Sequence, residues 1–362
     1  MLKGKNALTA GAVVIVSIFL CATAQAWETT VRDKEGDGRG HFISQMLFAC
    51  SLSQLMVKPP FSPKERNPHY FLSRDRLRLY YKKFVPKKEI RGIVIVTAGI
   101  GGIREGDYNK LGEFLSGEGF ALYILHPRGT GYSEGKRGDI SDFDLLLKDF
   151  RDFVRKIEEK HPKKPLFLFG HSLGGAIAIQ LGADLGREIA GIILINPAYR
   201  YSKGSGPSSW TYIYYAFNYI FRPSALTVDM KGDPRKIRHP EDRKEAIARA
   251  KDPLIVKKFS MRYLTGARKI MDKSAENAKL IKKPLLLIYG AQDEIIDHSG
   301  SEEIFKNWKC SNKKKVILKE GGHGIHTVNM SLTIIGKSQL LRLCQKPKVK
   351  TILSKKSFKY MR

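Results

Sequence analysis

From residue 71 onwards, short apolar runs alternate with longer segments of helical spacing. Residues 77–84, 93–98 and 121–126 read as strands, each rich in apolar and β-branched or aromatic residues and each followed by a glycine-containing loop. Residues 141–160 carry Phe143, Leu146, Leu147, Phe150, Phe153, Val154 and Ile157 on one helical face, with Ser141 as a possible N-cap. A buried strand at 166–169 and a helix at 176–185 follow. The runs at 192–195, 285–289 and 316–318 are continuously apolar, the pattern of strands covered on both faces. Such alternation predicts an α/β fold built on a mostly parallel, doubly wound sheet.

The rhythm breaks over residues 197–283, where helical and aromatic segments replace strand-like runs. That stretch reads as an inserted helical cap. Pro197 leaves one strand and Pro284 opens the next, so the insertion is expected to begin and end at the same edge of the sheet. The core is then assigned to 71–196 and 284–345, with an N-terminal extension at 27–70 and a basic tail at 346–362. No internal repeat or low-complexity tract is apparent.

Composition adds little to the fold but bounds the setting. At 362 residues and 42% hydrophobic content the chain buries a large core, which excludes a disordered chain or a disulfide-stapled miniprotein. Lys3 and Lys5 precede an apolar stretch at 7–21, and Ala24-Gln25-Ala26 forms a small-residue cleavage site before Trp27. Residues 1–26 therefore read as a signal peptide for export, with an uncleaved membrane anchor as the alternative. Leu20 stands before Cys21 where a lipoprotein needs a small residue, so no lipid anchor is expected. Removing the leader takes away two lysines and no acid, which lowers the net charge from +29 to +27. Cys50, Cys310 and Cys344 remain, enough for at most one internal bridge, and no two of them have metal-ligand spacing.

The chemistry centres on Gly170-His171-Ser172-Leu173-Gly174, a G-x-S-x-G sequence lying between a predicted strand and a predicted helix. Glycines on either side of the serine permit a tight turn that lifts its hydroxyl above the sheet. A second match at Gly131-Tyr132-Ser133-Glu134-Gly135 falls in a loop and lacks that context. A serine hydroxyl is a poor nucleophile near neutral pH, so it needs a histidine base and a carboxylate to orient that histidine. Asp293 follows the strand that ends near Gly290, and His323 sits in Gly321-Gly322-His323-Gly324 after the next one. Asp297 and His326 are the competing choices. Asp297 comes where a helix begins near Ser299, and the glycines around His323 favour a loop tip. His171 is read as a packed residue of the turn. The oxyanion hole needs backbone N–H groups from the residue after the nucleophile and from an early loop, here Leu173 and Ile100.

With these pieces placed, residues 71–345 resemble the monoglyceride lipase and lysophospholipase branch of the α/β-hydrolases, hydrolases of the serine aminopeptidase S33 type. The resemblance rests on His126-Pro127-Arg128-Gly129-Thr130-Gly131-Tyr132-Ser133-Glu134-Gly135, on Gly170 to Gly175, and on Asp252-Pro253-Leu254, Gly290-Ala291-Gln292-Asp293 and the 321–326 stretch. It implies a capped α/β-hydrolase fold and a Ser172, Asp293, His323 triad. It also implies hydrolysis of single-chain acyl glycerides or lysophospholipids without a cofactor. Two departures stand out. Ala98-Gly99 replaces the His-Gly pair that opens the oxyanion loop in relatives, and Gly129-Thr130-Gly131 replaces a Gly-His-Gly.

Residues 210–221 hold seven aromatics in twelve positions, suited either to packing a cap helix on the core or to a rim that admits acyl chains. The 197–283 stretch carries 20 basic and 8 acidic residues, and 345–362 carry seven basic residues and no acid. For an exported lipid hydrolase this charge suits peripheral contact with anionic membrane, whereas export and the lack of a binding fold argue against nucleic acid. Two other functions compete: an aminopeptidase-like amidase, which would need acids in the cap to hold a substrate amine, and a lipid-binding module without turnover. Haloalkane and epoxide hydrolases place Asp where this chain has Ser172.

Overall fold

The computed structural model describes residues 59–202, 209–230 and 232–325. The expected leader, Cys50, His326, Cys344 and the basic tail lie outside the described residues. Eight strands form one sheet: β1 (His69–Leu72), β2 (Arg78–Phe84), β3 (Gly92–Thr97), β4 (Phe120–Leu125), β5 (Leu166–His171), β6 (Gly191–Ile195), β9 (Leu285–Gly290) and β10 (Lys313–Leu318). Their order is β1-β2-β4-β3-β5-β6-β9-β10. The β1/β2 and β2/β4 pairs are antiparallel and every other pair is parallel, as in Ile93 opposite Leu166 and Ile192 opposite Leu285.

Alternation along the strands sends side chains into two separate cores. Ile95, Leu168, Leu194 and Leu287 point to one face, which is covered by α2 (Phe143–Lys160) and α3 (Leu173–Leu185). Val96, Phe169, Ile195 and Ile288 point to the other, where α1 (Asn109–Gly117) lays down Leu111 and Leu115. Both faces of the central strands are thus dry, which explains their unbroken apolar runs. Strand β10 departs from the expectation of two covered faces, because it is an edge strand in which only Leu318 is fully buried.

Local boundaries shift for physical reasons. The N-cap of α2 is Asp142, whose carboxylate accepts from the Asp144 N–H at 2.9 Å, and not Ser141. Helix α3 begins at Leu173, three residues earlier than its apolar spacing suggests, since the chain turns directly out of β5. Strand β1 and helix α1 escape the hydrophobic pattern, being short and, for β1, half-exposed.

The stretch between β6 and β9 contains two different structures. Its first part holds α4 (Ser209–Phe221), a two-stranded ribbon of β7 (Val228–Asp229) and β8 (Lys258–Phe259), a single 3₁₀ turn and α5 (Pro240–Lys251). Its second part, α6 (Met261–Asp272) and α7 (Ser274–Ala278), packs Tyr263, Ala267, Ile270 and Ala278 into the core beside α3. This is a correction to the idea that the insertion starts and ends at one edge of the sheet. Strands β6 and β9 are interior neighbours and parallel, so the chain must travel from the end of one to the start of the other, and α6 and α7 make that crossover. Helix α8 (His298–Asn307) then links β9 to β10.

Candidate active site

Ser172 stands at the turn from β5 into α3 with φ 54° and ψ −125°, a backbone conformation that non-glycine residues rarely adopt. The turn survives because its neighbours leave no alternative. A Cβ at Gly174 would lie 1.9 Å from the Thr97 carbonyl oxygen, and one at Gly170 would lie 2.5 Å from the Gly174 oxygen. Thr97 also donates its hydroxyl to the Gly174 carbonyl at 2.7 Å, tying β3 to the start of α3. The Ser172 N–H donates to the Ile195 carbonyl at 3.1 Å. The strain is therefore held by close backbone packing on both sides.

Asp293 and His323 meet although 30 residues separate them: Nδ1 of His323 donates to Oδ2 of Asp293 at 2.7 Å. The other Asp293 oxygen accepts from the Ile295 and Ile296 N–H groups at 2.8 and 2.9 Å, which fixes the carboxylate. This bond sets the His323 tautomer, leaving Nε2 as the proton acceptor. Burial alone would push the imidazole pKa down, but the neighbouring Asp293 carboxylate, assisted by Asp242, outweighs it and holds His323 above its ordinary value. The His323 ring packs on His171, the residue next to Ser172, at a centroid distance of 4.9 Å.

Three further side chains hold the histidine loop: His171, expected only as a packed residue of the turn, and Asn196 and Asp242, which the sequence pattern does not single out. His171 donates from Nε2 to the His323 carbonyl at 3.0 Å, and Asn196 donates to the Gly322 and His323 carbonyls at 3.0 and 2.9 Å. Asn196 accepts in turn from the Gly290 N–H at 2.9 Å, joining the ends of β6 and β9 to the loop. Asp242, on α5, accepts the His323 N–H at 2.6 Å and the Gly324 N–H at 2.7 Å. A Cβ at Gly322 would lie 2.2 Å from that carboxylate, so glycine there is a requirement of close approach.

The loop after β3 runs alongside the nucleophile. A Cβ at Gly99 would fall 3.6 Å from Ser172 Cβ, which brings Ile100 next to the turn that carries Leu173. Arg249 of α5 donates to the Ile100 carbonyl at 2.9 Å, and the Val256 N–H donates to the Gly101 carbonyl at 3.0 Å. Ala98 is fully buried, and Thr130 packs under Gly102. Around this loop lies a partly buried ionic group. Arg104 bonds Asp107 and Glu245, and burial pushes both carboxyls up against the opposing pull of Arg104 and Arg249.

The competing residues have structural work. Ser133 is buried, donating to the His126 carbonyl at 2.6 Å and accepting from the Tyr80 N–H at 2.9 Å. Asp297 caps α8 by accepting from the Ser299 N–H at 2.8 Å. Arg128, from the 126–135 motif, is clamped by Asp75 and Asp149.

Comparison with known proteins identifies the family and the fold. The sequence profile of the family described as "Serine aminopeptidase, S33" matches residues 88–328. The human monoglyceride lipase is 26% identical over 271 residues, covering 74% of this chain and 86% of the human protein. A crystal structure of the Paleococcus ferrophilus monoacylglycerol lipase has a TM-score of 0.62 at 28% identity, covering 74% of this chain and 98% of that one. That of a soluble variant of the Saccharomyces cerevisiae monoglyceride lipase, bound to a substrate analogue, has a TM-score of 0.66 at 22% identity, covering 78% and 97%. The shared fold is the α/β-hydrolase fold, with a mostly parallel central sheet and flanking helices.

Proposed function

The chain belongs to the serine aminopeptidase S33 family of hydrolases and is a serine ester hydrolase; from that premise we propose that it releases fatty acid from monoacylglycerols or lysophospholipids through Ser172, Asp293 and His323. The observation that carries the proposal is the 2.7 Å bond from His323 to Asp293 beside the strained Ser172 turn. Ser172 Oγ attacks the acyl carbonyl carbon while His323 Nε2 takes its proton, and Asp293 stabilises the imidazolium that results. The backbone N–H groups of Leu173 and Ile100 receive the negative charge on the carbonyl oxygen. His323 then returns the proton to the departing alcohol oxygen. Water repeats the sequence on the acyl-enzyme and frees the acid.

A single-chain acyl ester is favoured by the names of the relatives and by the surface of the cap. On α4, Ile213, Phe217 and Phe221 are 61%, 53% and 68% exposed, an apolar ridge within a strongly basic stretch of sequence. Such a surface suits peripheral contact with anionic lipid, where apolar side chains enter the headgroup boundary and cations add to the attraction. The amidase reading loses ground because the acids that α5 turns towards the site already face partners: Asp242 two backbone N–H groups, and Glu245 the Arg104 guanidinium through Oε2. Export through residues 1–26 belongs to the same proposal, and N-terminal sequencing of protein recovered outside the cytoplasm should begin at Trp27.

The direct test is fatty-acid release from a panel of monoacylglycerols and lysophospholipids by the protein and by Ser172→Ala. Release that vanishes with the substitution supports the proposal and ranks the head groups. Release that persists in Ser172→Ala, or is absent from the unsubstituted protein across the panel, contradicts it.

A further inference from the structure

Helix α5 is an unusual element of the cap. A helix that docks on a core ordinarily does so through an apolar stripe, yet in α5 the one fully buried residue is Asp242, and Ile247 faces solvent. What α5 turns inward is Asp242, Glu245 and Arg249, three and then four residues apart and therefore on one face. Each reaches a loop of the active site. Asp242 takes the two consecutive N–H groups of His323 and Gly324, at 2.6 and 2.7 Å. Glu245 takes Arg104, in the stretch that follows the Ile100 loop, at 2.6 Å. Arg249 donates to the carbonyls of Ile100 and Gly102, at 2.9 and 3.4 Å.

The start of α5 is itself pinned. His239 accepts the Asp242 N–H at Nδ1 and donates from Nε2 to the Glu320 carbonyl at 2.9 Å, so the helix is anchored to the base of the loop that its carboxylate holds. Close approach leaves little room for slippage, because Gly322 lies hard against the Asp242 carboxylate and Gly101 against the Val256 carbonyl just past the helix. Charged groups removed from water tolerate displacement poorly, since a half-broken pair leaves a desolvated charge behind.

Resting on the triad reading above, we infer that α5 is a positioning clamp: Asp242 fixes the loop that carries His323, and Arg249 fixes the loop that presents the Ile100 N–H, so that one cap helix sets the base and the oxyanion donors in register. Arg249 thereby supplies, from the cap, a side-chain support for the oxyanion loop. Neither side chain is a catalytic residue. Both act through backbone groups of residues that touch the substrate, and a small displacement of such groups costs turnover more than binding.

The experiment compares Asp242→Asn, Arg249→Met and Glu245→Gln with the unsubstituted protein on a short-chain monoacylglycerol. It measures kcat, KM, the thermal midpoint and the pH dependence of kcat/KM, with Ser172→Ala and His323→Ala as controls. The clamp predicts that kcat falls about 10- to 100-fold in Asp242→Asn and Arg249→Met, with KM within about threefold of the original and the fold intact. In Asp242→Asn the acid limb of the profile should move to lower pH, because a negative charge that raises His323 has gone. Arg249→Met should also weaken a boronic acid inhibitor in proportion to its loss of kcat/KM, since that inhibitor needs the oxyanion donors. Glu245→Gln, the mildest change, should lower kcat less while keeping the same split, and it serves as the test if either of the others fails to fold. Folded variants with unchanged kcat, or losses confined to KM, overturn the clamp. Controls that retain turnover would instead overturn the triad reading, which keeps the two failures distinct.

Discussion

The nucleophile turn and the histidine loop solve the same problem, holding a reactive side chain in one place, by opposite means. Ser172 is held by backbone packing: its φ of 54° is enforced by glycines that lie against the Thr97 and Gly174 carbonyls, with no side-chain cap on α3. His323 is held by side chains from elsewhere, Asp293, His171, Asn196 and Asp242, through a ring of hydrogen bonds. Steric exclusion is all-or-none in a close-packed interior, whereas each hydrogen bond contributes modestly. Substitutions of the glycines at the turn should therefore break the fold, and substitutions around the histidine should detune the reaction.

The largest effect expected is chemical. Ser172→Ala should lower kcat by about 10⁶-fold while KM and the thermal midpoint hold, because the missing hydroxyl takes part in both half-reactions. Asp293→Asn should lower kcat by about 10⁴-fold, since the amide no longer selects the Nδ1–H tautomer. Gly174→Ala carries the contrast into stability. A Cβ placed 1.9 Å from a backbone oxygen should cost about 3 kcal/mol or prevent folding, read by chemical denaturation. Asn196→Gly keeps the positive φ of that residue and removes only its side-chain bonds, so it should cost about 2 kcal/mol and reduce kcat about tenfold. Asp297→Ala should cost about 1 kcal/mol of stability through the lost α8 cap and leave kcat unchanged. A fold-breaking effect at Asn196 with no effect at Gly174 would invert the comparison.

Protonation sharpens it further, because His323 links activity and stability with opposite signs. Its folded pKa lies above 6.5, so the charged form contributes stability that is complete below 6.5 and is lost as pH rises through the folded value. The reaction needs the neutral form, so kcat/KM should rise over that same interval above 6.5. A thermal midpoint that falls with pH where kcat/KM climbs, both responses disappearing in His323→Gln, is the expected result.

The same contrast explains what could be read from the chain beforehand. Ser172, Asp293 and His323 sit at the ends of apolar runs, where local glycines announce a turn, and the alternation of strand-like and helical runs around them already points to a mostly parallel α/β sheet. Asp242, Asn196 and Arg249 act on partners 81, 126 and 149 residues away, in segments whose own pattern carries no signal of contact. Helix α5 illustrates this best: it lies in the expected cap with little apolar face of its own, and only the tertiary structure shows that its inward charges meet the catalytic loops. Helices α6 and α7 were folded into the expected cap for a related reason, since periodicity tells a helix but not the layer it joins. The short, half-exposed β1 fell below the threshold of any pattern.

The central claim, that a sterically fixed serine is activated by a histidine held through side chains, is tested most directly by a fluorophosphonate ester. Labelling kinetics should be followed on the protein, His323→Ala and Asn196→Gly, and the adduct located by peptide mass spectrometry. The account predicts an adduct on Ser172 alone, formed at a rate that collapses in His323→Ala and slows in Asn196→Gly. An adduct elsewhere, or labelling of Ser172 in His323→Ala at the original rate, would contradict it.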